Sequence, residues 1–241
     1  WFYGLGNTPG SLSSNAPALV HPVRVALSMA LAAALCHYFR ATEHQRDADS
    51  GIIRGRFDRW LGPALLATTL LGGIATEIAG ALRDKDMRSI LLSRTSLAAA
   101  ALNPARIKNL SGSNADLASP DYAMVKQRLM AMRSTDEDCR FIYLAALREK
   151  DVILLADSEP PTSEDYSPPG QVYVEASLLL RQSLKTGQSV TEGPVPDRWG
   201  VWVSSFVPIY DPQTHRMIAV IGQDTDARDW HRSVRDRKSV V

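Results

Sequence analysis

The sequence predicts an α+β domain: a long N-terminal helix and short helices packed on a central antiparallel sheet, preceded by one or two transmembrane helices. Three observations predict it. An uncharged run, WLGPALLATTLLGGIAT from Trp60 to Thr76, lies in the first third of the chain. Helical periodicity follows as far as Met132. From Arg140 the pattern changes to short apolar runs broken by turn residues, the signature of strands. Helices grouped before strands, rather than alternating with them, point to an antiparallel sheet with helices laid against it.

The apolar run comes first. Extended to Leu82 it reaches the roughly 20 residues that cross a bilayer, and Gly62, Pro63, Gly72 and Gly73 are tolerated better in lipid than in soluble helices. Arg54, Arg56 and Arg59 precede it, so the positive-inside rule puts that side in the cytoplasm and everything after Leu82 outside. Glu77 lies near the outer end, within reach of the headgroups. An earlier run, Val25–Phe39, is shorter and Ala-rich. Residues 1–59 therefore keep three readings: a first spanning helix with a cytoplasmic turn from Arg40 to Arg59, an amphipathic helix, or residues 1–52 foreign to the protein with its true start near Arg54. The chain begins with Trp, and its last six residues, DRKSVV, resemble a translated sequencing adapter. Residues 236–241 are set aside, 231–241 are read as a truncated end, and a longer parent protein is expected.

Residues 83–230 are the expected extracytoplasmic domain. Met87, Ile90, Leu91, Leu97, Ala98 and Ala101 recur at helical spacing and predict one buried stripe, interrupted by Arg94. Asn103-Pro104 is a cap followed by proline at the first helical position, opening a helix to Leu110. Ser119-Pro120 repeats that signal and opens a helix through Met132. RFIYLAALR and VILLAD form a hairpin across Glu149–Asp151. A long proline-rich loop follows, then a short helix from Glu175 to Thr186 stopped by Gly187. After a short strand in SVTEGPVPDR, GVWVSSFVPIYD and RMIAVIGQDTD form a second hairpin around DPQTH. Between Val201 and Tyr210, Val201, Val203, Val207 and Ile209 share one face, suited to a core against the long helix. Trp202, Ser204, Phe206 and Tyr210 share the other, suited to a small-molecule pocket or to a second core layer.

Composition narrows the function. Of 241 residues 45% are hydrophobic and 22% charged, with a net charge of +1. That is globular, with no basic excess to attract nucleic acid. Cys36 and Cys139 are far apart and read as buried free thiols; no Cys/His spacing suggests a metal site, and no cofactor is implied. The sequence holds no G-x-S-x-G, H-E-x-x-H or P-loop, so catalysis within this chain is not expected. Ser204, Asp224 and His231 are the members of a dispersed hydrolase triad, were there one.

Several motifs occur together: D-x-E-P-P at Asp157, D-Y-S-P-P-G-x-x-Y at Asp165, G-P-x-x-D-R-W-G-x-W-x-S at Gly193, and P-I-x-D-P leading to G-x-D-x-D-A at Gly222. In this combination, residues 82–227 resemble the PAS-like or Cache-like sensor domains outside the membrane in bacterial histidine kinases and diguanylate cyclases. The resemblance implies a ligand cavity between the sheet and a covering loop, here Asp157–Ser177. Proline pairs lower the entropy cost of ordering such a lid. Tyr166 and Tyr173 would stand at its rim, or in the core. Trp199 and Trp202 would form the opposite wall, with Tyr143 and Ser204 beside them. Asp197 and Arg198 would fix a polar ligand end, unless Arg198 pairs with Asp197 or Glu192. Asp157 would cap the loop, and Pro168, Pro169 and Gly170 read as turn chemistry.

The expected function is therefore the ligand-sensing input of a receptor in the bacterial inner membrane, with its sensor domain facing the periplasm. Its expected partners are a small molecule, the membrane and, because such kinases and cyclases act as dimers, a second copy along the long helix. The expected output is a histidine kinase, or alternatively a diguanylate cyclase; a tethered binding domain with no output is the reading from another class.

Overall fold

The computed structural model describes residues 58–236, together with Ala33, Ala34 and His37, which are helical. The expectations for the rest of residues 1–57, Cys36 included, and for residues 237–241 lie outside the described residues. The chain divides into two units, Trp1–Ala79 and Gly80–Val241.

Helix α1 runs from Asp58 to Ala101. In the first unit its apolar side chains, among them Leu70, Leu71, Ile74 and Ile78, are exposed. The hydroxyls of Thr68, Thr69 and Thr76 donate to the carbonyls of Ala64, Leu65 and Gly72 at 2.8, 2.9 and 2.8 Å, which is how a helix keeps polar groups from facing hydrocarbon. By length and composition α1 is able to cross a membrane.

In the second unit α1 is followed by α2 (Pro104–Lys108), a 3-10 turn (Asn114–Ala118) and α3 (Pro120–Thr135). Asn103 caps α2, its side chain accepting from Ala105 N at 3.0 Å. Ser119 makes no such bond. Strands β1 (Phe141–Arg148) and β2 (Asp151–Asp157) form the first hairpin. After α4 (Leu178–Thr186) come β3 (Val190–Pro196), β4 (Val201–Tyr210), β5 (Met217–Asp226) and α5 (Ala227–Asp236). The five strands form one antiparallel sheet in the order β2-β1-β5-β4-β3.

The alternation read in β4 runs through the whole sheet. One face carries Ile142, Leu144, Ile153, Leu155, Val207, Ile209 and Ile221 against Leu102, Ile107, Val125 and Leu129 of the helical layer. The other carries Tyr143, Ala145, Val152, Leu154, Phe206 and Val220 against Leu180 and Leu184 of α4 and Tyr173 of the loop.

Four details depart from expectation. The buried line of α1 is Leu91 and Thr95, with Ala98 partly buried and Leu102 buried just past the helix end, while Ile90, Leu97 and Ala101 are exposed. Thr95 can be buried because its hydroxyl meets Leu91 O and Gln223 Oε1. Helix α2 stops at Lys108, since Asn109 N bonds Arg106 O in a tight closing turn. Helix α3 runs on to Thr135, three residues past Met132. Helix α4 starts at Leu178 rather than Glu175, because Ser177 takes the cap and accepts from Leu180 N.

Candidate functional site

The loop after β2 is anchored along the sheet's edge. Leu154 N donates to Gln171 O, Gly170 N to Leu154 O and Tyr173 N to Val152 O, at 2.8–2.9 Å. These bonds cover the free edge of β2 and swing Tyr173 over the second face. Gly170 has φ +89°, and a Cβ there would stand 2.4 Å from the Gly112 carbonyl oxygen; glycine is required by both conformation and space.

Ions clamp the loop's root. Asp157 Oδ2 accepts from Ser167 N at 2.7 Å, so Asp157 does cap the loop. Its Oδ1 takes Lys126 Nζ of α3 at 2.7 Å; both side chains are buried, and Lys126 also donates to Glu159 O at 2.6 Å. Arg140 joins Glu159 at 2.7 Å to Asp165 at 2.5 Å, and Arg133 reaches Glu159 at 3.0 Å.

Between loop and sheet lies a narrow cleft with about 30 Å³ of free space. It is lined by Phe141, Tyr143, Tyr173 and Trp199, by Leu154 and Ser167, and by four carboxyl groups, Asp157, Asp165, Asp197 and Asp224. The rings meet edge to face: Tyr143–Tyr173 at 6.3 Å and Tyr173–Trp199 at 5.7 Å. Gly222 is needed here, since a Cβ would collide with the Tyr143 ring at 2.5 Å. An adjoining recess, with about 10 Å³ of free space, is lined by Trp202, Ser204 and Phe206 of β4, with Ser177, Glu175 and Glu192.

The carboxyls of Asp197 and Asp224 differ. Asp197 Oδ1 accepts from Trp199 N, Gly200 N and Trp202 Nε1 at 2.8–3.1 Å, and Oδ2 from the Tyr173 hydroxyl at 2.8 Å. It organises the aromatic wall. Asp224 is buried, and its Oδ1 has no hydrogen-bond partner. Burial pushes its carboxyl up to about 8, the Ser204 hydroxyl works against that, and the charges of Asp197 and Glu192 add to it. Burial likewise raises Glu192 and both tyrosines, Tyr143 and Tyr173. The cations around the cleft are already committed, Lys126 to Asp157, Arg140 to Asp165 and Arg198 to Glu175. Aromatic faces beside carboxyl groups without a cation suit a positively charged nitrogen.

Of the residues named from sequence, Tyr143, Tyr173, Asp197 and Trp199 come together in the cleft, and Trp202 and Ser204 in the recess. Tyr166 does not join them: its hydroxyl lies 3.1 Å from that of Tyr122, and its ring lies beneath Lys126 at 4.4 Å. Arg198 does not join them either. It points outward, donating twice to Glu175 at 2.9 and 2.5 Å and stacking on Trp199, so its partner is neither Asp197 nor Glu192. Phe141, Asp165 and Asp224 were not named as ligand contacts; the alternation that placed Gly222 on this face also places Asp224, two residues on. Ser204 and Asp224 are register partners, but His231 is exposed on α5 near Asp84. Among the described residues no cluster suits a metal ion.

No family model matches this chain, and no curated protein matches it. Among solved structures it is similar to the isoleucine-bound sensory domain of the Campylobacter jejuni chemoreceptor Tlp3, at 17% identity and TM-score 0.46, covering 68% of this chain and 61% of that one. It is also similar to an extracellular ligand-binding receptor from Desulfohalobium retbaense (10% identity, TM-score 0.45, 66% and 26% covered). A third is the ligand-binding domain of the Pseudomonas aeruginosa amino-acid chemoreceptor PctC in complex with GABA (14% identity, TM-score 0.33, 62% and 67% covered). The chain spans about three fifths of the length of the Tlp3 sensory domains that it matches.

Proposed function

We propose that this chain is the ligand-sensing input of a membrane-bound bacterial receptor, with residues 83–230 outside the inner membrane and the span at 60–82 leading to the cytoplasm. The ligand is a small molecule with a cationic nitrogen, held in the cleft of Tyr143, Tyr173 and Trp199. One observation carries this reading. Asp224, a buried carboxyl with one oxygen unpartnered among the described residues, lines the aromatic cleft with no cation beside it, and a cationic ligand would supply that charge. Asp197 holds the walls in place and leaves Asp224 as the anchor.

For signalling, the ligand must favour one arrangement of the domain over another. The route out runs through Arg88 of α1, which donates to Gly193 O at 2.9 Å, next to Glu192 of the recess, and stacks on Trp230 of α5. Trp230 also donates to Asp84 of α1 at 2.8 Å. On the family resemblance alone, the receptor is a homodimer along α1 whose output is a histidine kinase or, as the alternative, a diguanylate cyclase. Coding sequence continuing into a second span and one of those domains supports this; a stop soon after the sensor leaves a tethered binding domain.

The ligand reading is tested by thermal unfolding of the full chain in detergent micelles with propylammonium, a zwitterionic amino acid or a dicarboxylate. The ammonium compounds raise Tm, and Asp224→Asn abolishes the rise. Stabilisation by the dicarboxylate alone overturns the reading.

A further inference from the structure

We propose that Asp224 carries a proton while the cleft is empty and surrenders it when a cationic ligand enters, so that uptake is a proton-for-cation exchange. This rests on the cationic-ligand reading and adds its regulation: affinity follows the pH outside the membrane.

The geometry requires one or the other positive charge. Asp224 leaves β5 into the cleft with one oxygen lacking any partner. It is faced by the Ser204 hydroxyl from β4, Glu192 from β3, Asp197 from the β3–β4 turn, Tyr143 from β1 and Tyr173 from the loop. Cys139, ahead of β1, also lies within its field. Every titratable member of that set is acidic or neutral. The cations around the cleft, Lys126, Arg140 and Arg198, are held by Asp157, Glu159, Asp165 and Glu175. A bare carboxylate with no cation, buried among two other acids, is the arrangement that burial disfavours most. Binding one side chain's worth of proton removes the charge; binding an ammonium ion removes it equally well. The two cannot occupy the same oxygen. In the exchange the Asp224 O–H bond breaks, its electron pair stays on the carboxylate, the proton passes through the cleft mouth to water, and an ammonium N–H donates to the vacated oxygen. Charge and protons balance with no other reactant.

The experiment uses the full chain in detergent micelles. First, Asp carboxyl carbons are labelled with 13C, and the Asp224 signal is identified by its loss in Asp224→Asn. In the empty protein it titrates well above the ordinary carboxylate range of about 4; a midpoint below about 5 overturns the exchange. Second, propylammonium affinity is measured from pH 5.5 to 8.5. Obligatory proton release makes it rise about tenfold per pH unit below the Asp224 midpoint and level off above it. An affinity that is the same at every pH overturns the exchange and leaves the ligand reading standing. No binding at any pH, by contrast, removes the ligand reading itself.

Discussion

The two faces of the sheet are built from the same strands, yet they obey different rules. On the face toward α1–α3, Leu129, Leu144 and Ile221 are fully buried among other aliphatic groups, and buried polar atoms of Thr95 and Gln223 bond each other and Asp136. On the face toward α4 and the loop, alternate residues of those strands are tyrosine, serine and aspartate, and one carboxyl oxygen has no partner. Among the described residues the first face leaves one neutral hydroxyl, that of Ser205, without a partner; the second leaves a buried carboxyl oxygen without one. Such a lapse, held in place by good packing elsewhere, is where function is expected.

The largest effect tests the joint between the two faces. Lys126 belongs to α3, and Asp157 lines the cleft. Asp157→Ala leaves a buried ammonium without its carboxylate and removes the loop's cap, so urea unfolding loses about 3–5 kcal/mol. A loss no larger than that of an exposed substitution would mean that the loop is not clamped to the helical layer. Next comes the core face alone. Leu144→Ala costs about 2–5 kcal/mol through a cavity that the neighbours cannot fill. Ligand affinity of the molecules that remain folded stays unchanged, because Leu144 points away from the cleft.

Asp224→Asn probes the other face and reverses the sign. The folded carboxyl sits near 8 against about 4 when unfolded, so the folded state binds the extra proton between those values. This contribution favours folding fully below pH 4 and is lost as pH rises toward 8. The asparagine removes the titration, so the variant gains on the wild type as pH rises, by about 4 kcal/mol between pH 5 and pH 8.5. Chemical denaturation at pH 5 and pH 8.5 reads the difference; equal differences at both would deny that the buried carboxyl titrates.

Both faces were legible in the sequence where alternation alone decides, as along Val201–Tyr210. So were the Asn103 cap and the Gly187 stop, which are local. The α1 stripe was misread because hydropathy discards Thr95, whose burial depends on Gln223, 128 residues on. Tyr143, Tyr173 and Trp199 could be named from motifs. Asp224 could not be read as an anchor, since a charged strand residue ordinarily signals solvent; only the pairing of β5 between β1 and β4 buries it. The ion-pair partner of Arg198 was misread for the converse reason. The neighbours of Arg198 in sequence are Asp197 and Glu192, but the loop brings in Glu175 from 23 residues away.

That misreading frames the smallest effect. Arg198 and Glu175 form an exposed, two-pronged ion pair at the cleft's outer wall. Exposed pairs are screened and gain little over solvation, so Arg198→Ala leaves Tm within the scatter of replicate measurements. Its stacking on Trp199 rigidifies a ring that the ligand would touch. Propylammonium affinity therefore falls no more than about threefold, and the change is as large at high salt as at low, since packing rather than charge transmits it. A salt-dependent loss of tenfold or more would instead place Arg198 among the ligand's own contacts, and the outer wall would then belong to the site and not merely to its frame.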